Sequence, residues 1–181
     1  MRILFLHGLE SQPNCQKVKW LQDQGHNVQS PDIDYHDNQS YEKIYKLTRR
    51  NNYDVIVGSS MGGWFAWNLG KEMGVPVLLL NPALHSRTVN PTIGSWIGEK
   101  HLGSKVFLAI GNDDIMINPV DTLIWLREND TIDWNPNNVL EGEYGHRTPI
   151  ETFIKVFNHF EEHINETNEL YRMYGKGKES L

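Results

Sequence analysis

The chain has 181 residues, of which 39% are hydrophobic and 22% charged, and this composition is typical of a globular domain rather than a disordered segment. Its 17 lysines and arginines against 23 aspartates and glutamates give a formal net charge of -6, which argues against binding to nucleic acid or anionic lipid through a basic surface. The single cysteine, Cys15, excludes an internal disulfide and a cysteine-based metal cluster.

The apolar run at the N-terminus, Ile3–Leu6, resembles the core of a signal peptide but is too short for one. His7, Gly8 and Glu10 interrupt it, so we interpret it as a strand. No other stretch approaches the roughly 18 consecutive apolar residues of a membrane-spanning helix. We therefore expect a cytoplasmic protein that does not enter a membrane.

Apolar runs separated by helical patterns recur along the chain. Four of the runs are continuously hydrophobic, as expected of strands covered on both faces in a parallel sheet. The predicted strands are Ile3–Leu6, Val28–Ile33, Asp54–Val57, Val75–Leu80 and Lys105–Ile110, with Asn138–Glu141 as a weaker sixth. The predicted helices are Lys17–Gln24, Tyr41–Arg50, Gly63–Met73, Pro119–Glu128 and Pro149–Ile164. This alternation predicts an α/β three-layer sandwich with a mostly parallel sheet of about six strands.

Two segments depart from the alternation. Residues 84–104, rich in Gly, Pro, Ser and Thr, are interpreted as an excursion over one edge of the sheet or a small lid. Residues 165–181 are interpreted as a C-terminal tail, so the domain is expected to span residues 1–164. In the helix after the fifth strand, the apolar residues expected to face the sheet are Val120, Leu123, Ile124 and Leu126.

The sequence after the third strand, Gly58-Ser-Ser60-Met-Gly62, matches the G-x-S-x-G nucleophile elbow. In that motif a serine occupies a sharp strand-to-helix turn, and the flanking glycines allow the backbone to approach itself closely. A buried strand runs into this motif and a helix follows it, which is the context the motif requires. Ser60 is therefore predicted to be a nucleophile, against the alternative of an incidental serine in a Gly-rich turn.

A serine hydroxyl needs a base to accept its proton and a carboxylate to orient that base. In this architecture the chain order is Ser, then Asp or Glu, then His. His146, in a loop after the last strand, is the predicted base. Asp114 is the predicted acid because it stands three residues after Gly111, although its neighbour Asp113 remains an alternative.

Other candidate residues have weaker patterns. His7 precedes the serine in the chain and is interpreted as part of an oxyanion loop rather than as the base. His159-Phe-Glu-Glu-His163 matches a zinc-peptidase pattern but is better explained as an exposed helix face, so no metal is expected. No phosphate-binding glycine motif follows a strand, and no cofactor is expected. His7, Trp64 and Trp96 are candidates to line a substrate pocket, with core packing as the alternative for the two tryptophans.

Taken together, these motifs resemble the α/β-hydrolases, and more narrowly the small cytoplasmic YqiA-type esterases of bacteria. The resemblance spans roughly residues 1–163. The matching stretches are Phe5–Leu9, Ser11–Asn14 with Lys17, Ser30–Ile33, Val57–Trp64, Leu80–Ala83 and Gly145–Arg147.

The resemblance implies a minimal hydrolase fold without a cap domain, and a triad of Ser60, Asp114 and His146. It also implies an oxyanion hole formed by the backbone N–H groups of Leu9 and Met61. The expected activity is hydrolysis of small acyl esters or thioesters through an acyl-serine intermediate. The alternatives are an acyltransferase or peptidase with the same triad, and a hydrolase-shaped binding protein without catalysis. The sequence leaves acyl and alcohol specificity, physiological pathway and oligomeric state open.

Overall fold

The computed structural model of the chain describes residues 1–94, 105–129 and 138–174. The strands are β1 (Arg2–Leu6), β2 (Asn27–Gln29), β3 (Val55–Ser59), β4 (Val77–Leu80), β5 (Val106–Gly111) and β6 (Val139–Gly142). The helices are α1 (Gln16–Asp23), α2 (Ser40–Arg50), α3 (Met61–Met73), α4 (Pro119–Asn129) and α5 (Ile150–Tyr174).

The six strands form one sheet in the order β2-β1-β3-β4-β5-β6, and each neighbouring pair is parallel. The predicted α/β fold with a mostly parallel sheet is confirmed. The chain moves outward from β1 to β2 and then returns past β1 to β3. Parallel sheets bind ligands at such a reversal point, beyond the carboxyl ends of the strands, because the loops there diverge and leave a crevice. The segments after β1 and β3 are therefore the first place to look for a site.

Alternate residues of each central strand point to opposite faces of the sheet, and both faces are covered by helices. Leu4 and Ile56 belong to a core that also contains buried residues of α2, α3 and α4. Ile3 and Val57 belong to a second core with α1 and α5. This two-sided burial explains why the strand sequences are continuously apolar instead of alternating.

Several element boundaries differ from the predicted ones. β2 ends at Gln29, four residues earlier than predicted, because Pro31 has no N–H to donate to the ladder and disfavours a regular strand around it. The helix α3 begins at Met61, directly after the serine. The helix α5 continues to Tyr174, ten residues beyond the predicted end at Ile164. The remainder of the predicted tail, 175–181, lies outside the described residues.

The predicted inner face of α4 is confirmed for Leu126, which is buried, and for Leu123, which packs against the core, but it is wrong for Val120 and Ile124. Val120 and Ile124 are 61% and 49% exposed, whereas Thr122 and Leu126 are buried. The Thr122 hydroxyl donates to the backbone carbonyl of Asn118, so this polar side chain is satisfied inside the protein. Residues four apart share a helix face, so the face with Thr122 and Leu126 packs inward and the face with Val120 and Ile124 turns outward.

The predicted excursion is only partly described. Residues 84–94 contain no helix or strand, and residues 95–104, including Trp96, lie outside the described residues. Among the described helices, none has an apolar stretch long enough to cross a bilayer.

Candidate active site

Ser60 occupies a strained turn between β3 and α3. Its backbone has φ +52° and ψ −116°, a conformation that a residue with a side chain rarely adopts. The turn is tight enough that a Cβ on Gly58 would lie 2.6 Å from the Cβ of Ala66, and one on Gly62 would overlap the carbonyl oxygen of Leu6 in β1. The two glycines of the motif are thus required by close packing of the turn against the sheet, and the turn presents Ser60 at the sheet edge.

Ser60, His146 and Asp114 form a continuous line of hydrogen bonds. The Ser60 Oγ lies 2.9 Å from His146 Nε2, and His146 Nδ1 lies 2.7 Å from the Asp114 Oδ2. A carboxylate can only accept, so Nδ1 carries the proton and Nε2 is left to accept the serine hydroxyl hydrogen. This is the tautomer that a serine nucleophile requires of its base.

The two acidic residues after β5, Asp113 and Asp114, differ in burial. The Asp114 side chain is 1% exposed, and its Oδ1 accepts hydrogen bonds from the backbone N–H groups of Met116 and Ile117, each at 2.9 Å. Asp113 is exposed, and its backbone N–H donates to the carbonyl of Tyr144. The turn therefore brings Asp114, and not Asp113, to the imidazole of His146.

The backbone N–H groups of Leu9 and Met61 lie near Ser60 and have no intramolecular acceptor among the described residues. Met61 is the first residue of α3, where N–H groups have no partner within the helix. Leu9 lies in a turn closed by the hydrogen bond from the Ser11 N–H to the Gly8 carbonyl. A Cβ added at Gly8 would lie 3.2 Å from the Ser60 Cβ, so this turn passes directly beside the serine.

His7 holds the loop after β1 in place. Its Nδ1 donates to the carbonyl of Gly8 at 2.7 Å, and its Nε2 accepts from the backbone N–H of Ile33 at 3.0 Å. Its carbonyl oxygen accepts the hydroxyl hydrogen of Tyr35. The ring is 3% exposed and both of its nitrogens are occupied by backbone groups, which leaves neither available to accept a proton from Ser60.

Asn81, at the end of β4, joins the loops that carry the acid and the base. Its amide nitrogen donates to the carbonyls of His146 at 2.8 Å and Gly145 at 3.1 Å, and its Oδ1 accepts from the Gly111 N–H at 2.7 Å. In the sequence, Asn81 belongs to the matching stretch Leu80–Ala83 and has no predicted role. The feature that could have indicated a role is an asparagine directly after a buried strand, since asparagine tolerates a positive φ better than most residues. In the structure the φ of Asn81 is +40°.

Replacing Asn81 with alanine should lower kcat by about tenfold to a hundredfold with a smaller effect on KM, because the His146 backbone loses its anchor and small displacements of catalytic groups are costly. The unpaired buried groups should also cost about 1–3 kcal/mol of unfolding free energy. Steady-state hydrolysis of p-nitrophenyl acetate and urea unfolding measure the two effects. Asn112→Ala, at an exposed neighbouring position, is the control. Wild-type kcat in folded Asn81→Ala protein would contradict the assigned role.

A cleft of about 610 Å³ opens beside Ser60 and His146. Leu9, Met116 and Ile117 contribute apolar surface to it. Trp64 is not among the residues that line this cleft, because its ring is buried in the core beneath the guanidinium of Arg87, 4.3 Å from the ring centre. The expectation that Trp64 lines the pocket is therefore wrong, and Trp96 falls outside the described residues.

The histidine pair on α5 lies away from this cleft. Both rings contact Phe107, a core residue beneath α5. The ring centre of Phe107 lies 6.0 Å from that of His159 and 4.9 Å from that of His163. Within the described ranges, no group of three His, Cys, Asp or Glu side chains is arranged to hold a metal ion.

Comparison with known proteins assigns the chain to a family. Residues 2–170 match the model of the uncharacterised protein family UPF0227. No similar sequence is found among curated proteins.

Several solved structures share the fold. A protein of the α/β-hydrolase superfamily from Xanthomonas campestris has 18% identity and a TM-score of 0.64, over 91% of this chain and 97% of that one. Est1E from Butyrivibrio proteoclasticus has 10% identity and a TM-score of 0.62, over 91% and 88%. A YdeN-like protein from Pectobacterium atrosepticum has 17% identity and a TM-score of 0.61, over 90% and 91%.

At these identities the structural similarity establishes the fold and leaves the chemistry to the residues of the site. The family match covers all six strands and the loops that carry Ser60, Asp114 and His146. The chain belongs to the uncharacterised protein family UPF0227 and has the α/β-hydrolase fold.

Proposed function

We propose that the protein is a serine hydrolase that cleaves small acyl esters or thioesters through a covalent acyl-Ser60 intermediate. The observation that carries this proposal is the hydrogen-bonded line from Ser60 through His146 to the buried Asp114. A fold of this type hosts many activities, so the proposal rests on these side chains and not on the fold alone.

In the acylation step, the Ser60 Oγ attacks the carbonyl carbon of the substrate while His146 Nε2 takes the hydroxyl proton. The resulting imidazolium is stabilised by the Asp114 carboxylate, which stays ionised. When the tetrahedral intermediate collapses, the bond to the leaving group breaks. His146 then returns the proton to the departing alcohol or thiol, and the acyl group remains on Ser60.

The negative charge on the carbonyl oxygen of the tetrahedral intermediate requires donors beside Ser60. The free N–H groups of Leu9 and Met61 are suited to this role because both flank the serine and have no acceptor among the described residues. One such donor typically lowers the barrier by about 3 kcal/mol. Being backbone groups, these donors are fixed before the reaction begins and need no rearrangement.

Deacylation repeats the sequence with water as the nucleophile. His146 takes a proton from water, the resulting hydroxide attacks the acyl carbonyl, and Ser60 leaves with the proton returned by His146. The products are a carboxylic acid and free enzyme. In these steps His146 carries out every proton transfer, and water is the second reactant.

Labelling with a fluorophosphonate tests the proposal directly. The folded protein should gain the mass of one phosphonyl group, located by peptide mapping on Ser60, and pre-incubation with a slowly hydrolysed ester should reduce the labelling rate. Protein unfolded in urea should not be labelled, because the reaction depends on His146 lying beside the serine. A folded protein that remains unlabelled would favour the binding-protein alternative over the hydrolase.

If Ser60 is labelled, hydrolysis must still be separated from acyl transfer and from peptide cleavage, which would use the same serine. Product analysis with p-nitrophenyl acetate in the presence of added alcohols, and assays with short peptides, distinguish the three reactions. We expect acetate as the dominant product and no cleavage of unactivated peptides. Transfer to the added alcohol as the main reaction would replace the hydrolase assignment with an acyltransferase.

A further inference from the structure

The charged side chains that line the cleft beside Ser60 are mainly cationic, although the chain as a whole is acidic. The cleft is lined by three cationic side chains, those of Lys17, Arg87 and Arg147, and by one carboxylate, that of Glu10. The formal charge of the whole chain is -6. A local excess of positive charge in a cleft attracts anions, because the surrounding low-dielectric walls concentrate the field there.

Arg87 is committed to the protein itself. Its guanidinium stacks on the Trp64 ring and donates hydrogen bonds to the carbonyls of Ala83 and Leu84, and to the Asn90 side chain at 3.2 Å. It therefore fixes the segment after β4 and has little capacity left for a ligand.

Lys17 and Arg147 are not committed in this way. Within the described part of the chain, neither side chain has a carboxylate within ion-pair distance. Lys17 is half-buried in the first turn of α1, where the positive end of the helix dipole disfavours a cation. Its surroundings are thus unfavourable for its own charge, and among the described residues only the Cys15 thiol, not a carboxylate, offsets part of the cost.

The two cations are close enough to affect each other. Burial lowers the pKa of Lys17, the Cys15 thiol partly opposes this, and the charge of Arg147 lowers the pKa as well. The exposed Glu10 is not among the charges that act on Lys17. Two cations that line one cleft beside a reactive serine, with no carboxylate partner in the described part of the chain, are the arrangement expected where a ligand supplies negative charge.

We propose that Lys17 and Arg147 bind a carboxylate or phosphate group of the substrate, so that the preferred esters or thioesters carry a negative charge near the bond that is cleaved. Arg147 directly follows His146 in the chain, which places this anion subsite within a short distance of the reacting carbonyl. The inference deepens the proposed function. The substrate preference depends on Ser60 being the nucleophile, whereas binding of an anion by Lys17 and Arg147 does not.

The first test measures the charge of the cleft without using catalysis. Cys15 is the only cysteine, it lines the same cleft, and its thiol interacts electrostatically with Lys17. The ratio of its alkylation rates with anionic iodoacetate and neutral iodoacetamide should be higher than that of N-acetylcysteine amide, a thiol that carries no other charge. The ratio cancels changes in the thiolate fraction, so it reports the local potential alone.

Lys17→Met and Arg147→Gln should each lower the iodoacetate-to-iodoacetamide ratio by about threefold to tenfold, as expected from losing one nearby charge in a partly solvated site. The matched controls are Lys19→Met, two residues further along α1 with a 75% exposed side chain, and Arg50→Gln at the exposed end of α2. Both controls should keep the wild-type ratio. Equal ratios in wild-type protein and the two cleft variants would overturn the anion site.

The second test measures substrate preference with matched esters. On the acyl side, p-nitrophenyl hydrogen adipate is compared with p-nitrophenyl hexanoate. On the leaving-group side, 4-carboxyphenyl butyrate is compared with 4-acetylphenyl butyrate. Wild-type enzyme should prefer the charged member of at least one pair by about tenfold to a hundredfold in kcat/KM, the range expected for a hydrogen bond to a charged group. Competitive inhibition by inorganic phosphate or by glutarate identifies the preferred anion.

Lys17→Met and Arg147→Gln should remove most of this preference, whereas Lys19→Met should retain it. Equal kcat/KM values for charged and neutral esters in wild-type enzyme would overturn the substrate inference while leaving ester hydrolysis by Ser60 intact. Conversely, an unlabelled Ser60 combined with a Cys15 alkylation ratio that depends on Lys17 would reject the hydrolase and retain the anion site. The two failures are thus distinguishable.

Discussion

Replacing Ser60 with alanine should reduce kcat/KM for p-nitrophenyl acetate by about 10⁴-fold or more, the scale seen when the nucleophile of a serine–histidine–aspartate triad is removed. The loss is this large because no acyl-enzyme can form, whatever the remaining groups contribute. The measurement is initial-rate hydrolysis with purified protein, corrected for the uncatalysed reaction, together with the mass of the fluorophosphonate adduct. The variant should show neither activity nor adduct.

The matched control for this experiment is Ser40→Ala. Ser40 is buried at the start of α2, and its hydroxyl has no hydrogen-bond partner in the described structure. Removing that hydroxyl should leave folding and hydrolysis close to wild type. If Ser60→Ala hydrolyses the ester as fast as Ser40→Ala does, then another group is the nucleophile and the proposed function is wrong.

Replacing Asp114 with asparagine should lower kcat by about 10⁴-fold, the scale of the corresponding change in serine proteases. Asparagine can still accept the backbone N–H groups of Met116 and Ile117 through its oxygen. Its NH₂ group would then face His146 Nδ1, which forces the proton onto Nε2 and prevents that nitrogen from accepting the Ser60 proton. The imidazolium would also lose its neighbouring negative charge.

Asp113→Asn provides the control because it makes the same chemical change one residue away. Asp113 is exposed and contributes only its backbone N–H to the Tyr144 carbonyl, so we expect a rate within about twofold of wild type. Unfolding curves in urea check that both variants fold. The reverse pattern, with Asp113→Asn inactive and Asp114→Asn active, would transfer the acid role to Asp113.

The sheet was predictable because its signal is local. Strands such as β4 and β5 are continuously apolar, since helices cover both faces of the sheet, and each run is bounded by residues that end a strand. The serine was predictable for a similar reason. The strained turn at Ser60 requires Gly58 and Gly62 at fixed spacing, and fixed spacing is visible in a sequence.

The orientation of α4 and the length of α5 were not predictable from local patterns. Val120 and Ile124 are apolar, yet the packing of α4 buries Thr122 because its hydroxyl can be satisfied by the Asn118 carbonyl. The helix α5 continues past Ile164 because helix formation propagates once started, whereas the apolar pattern that predicted it stops where the core contact ends.

The sequence by itself determined the α/β architecture, the elbow around Ser60 and the chain order of the serine, the acid and the histidine. Only the tertiary structure distinguished Asp114 from Asp113, placed Asn81 between the two loops that follow β5 and β6, and gathered Lys17 and Arg147 into one cleft. These relationships join residues 30 to 130 positions apart. Their geometry depends on strand order and loop packing, so no short segment of the chain contains it.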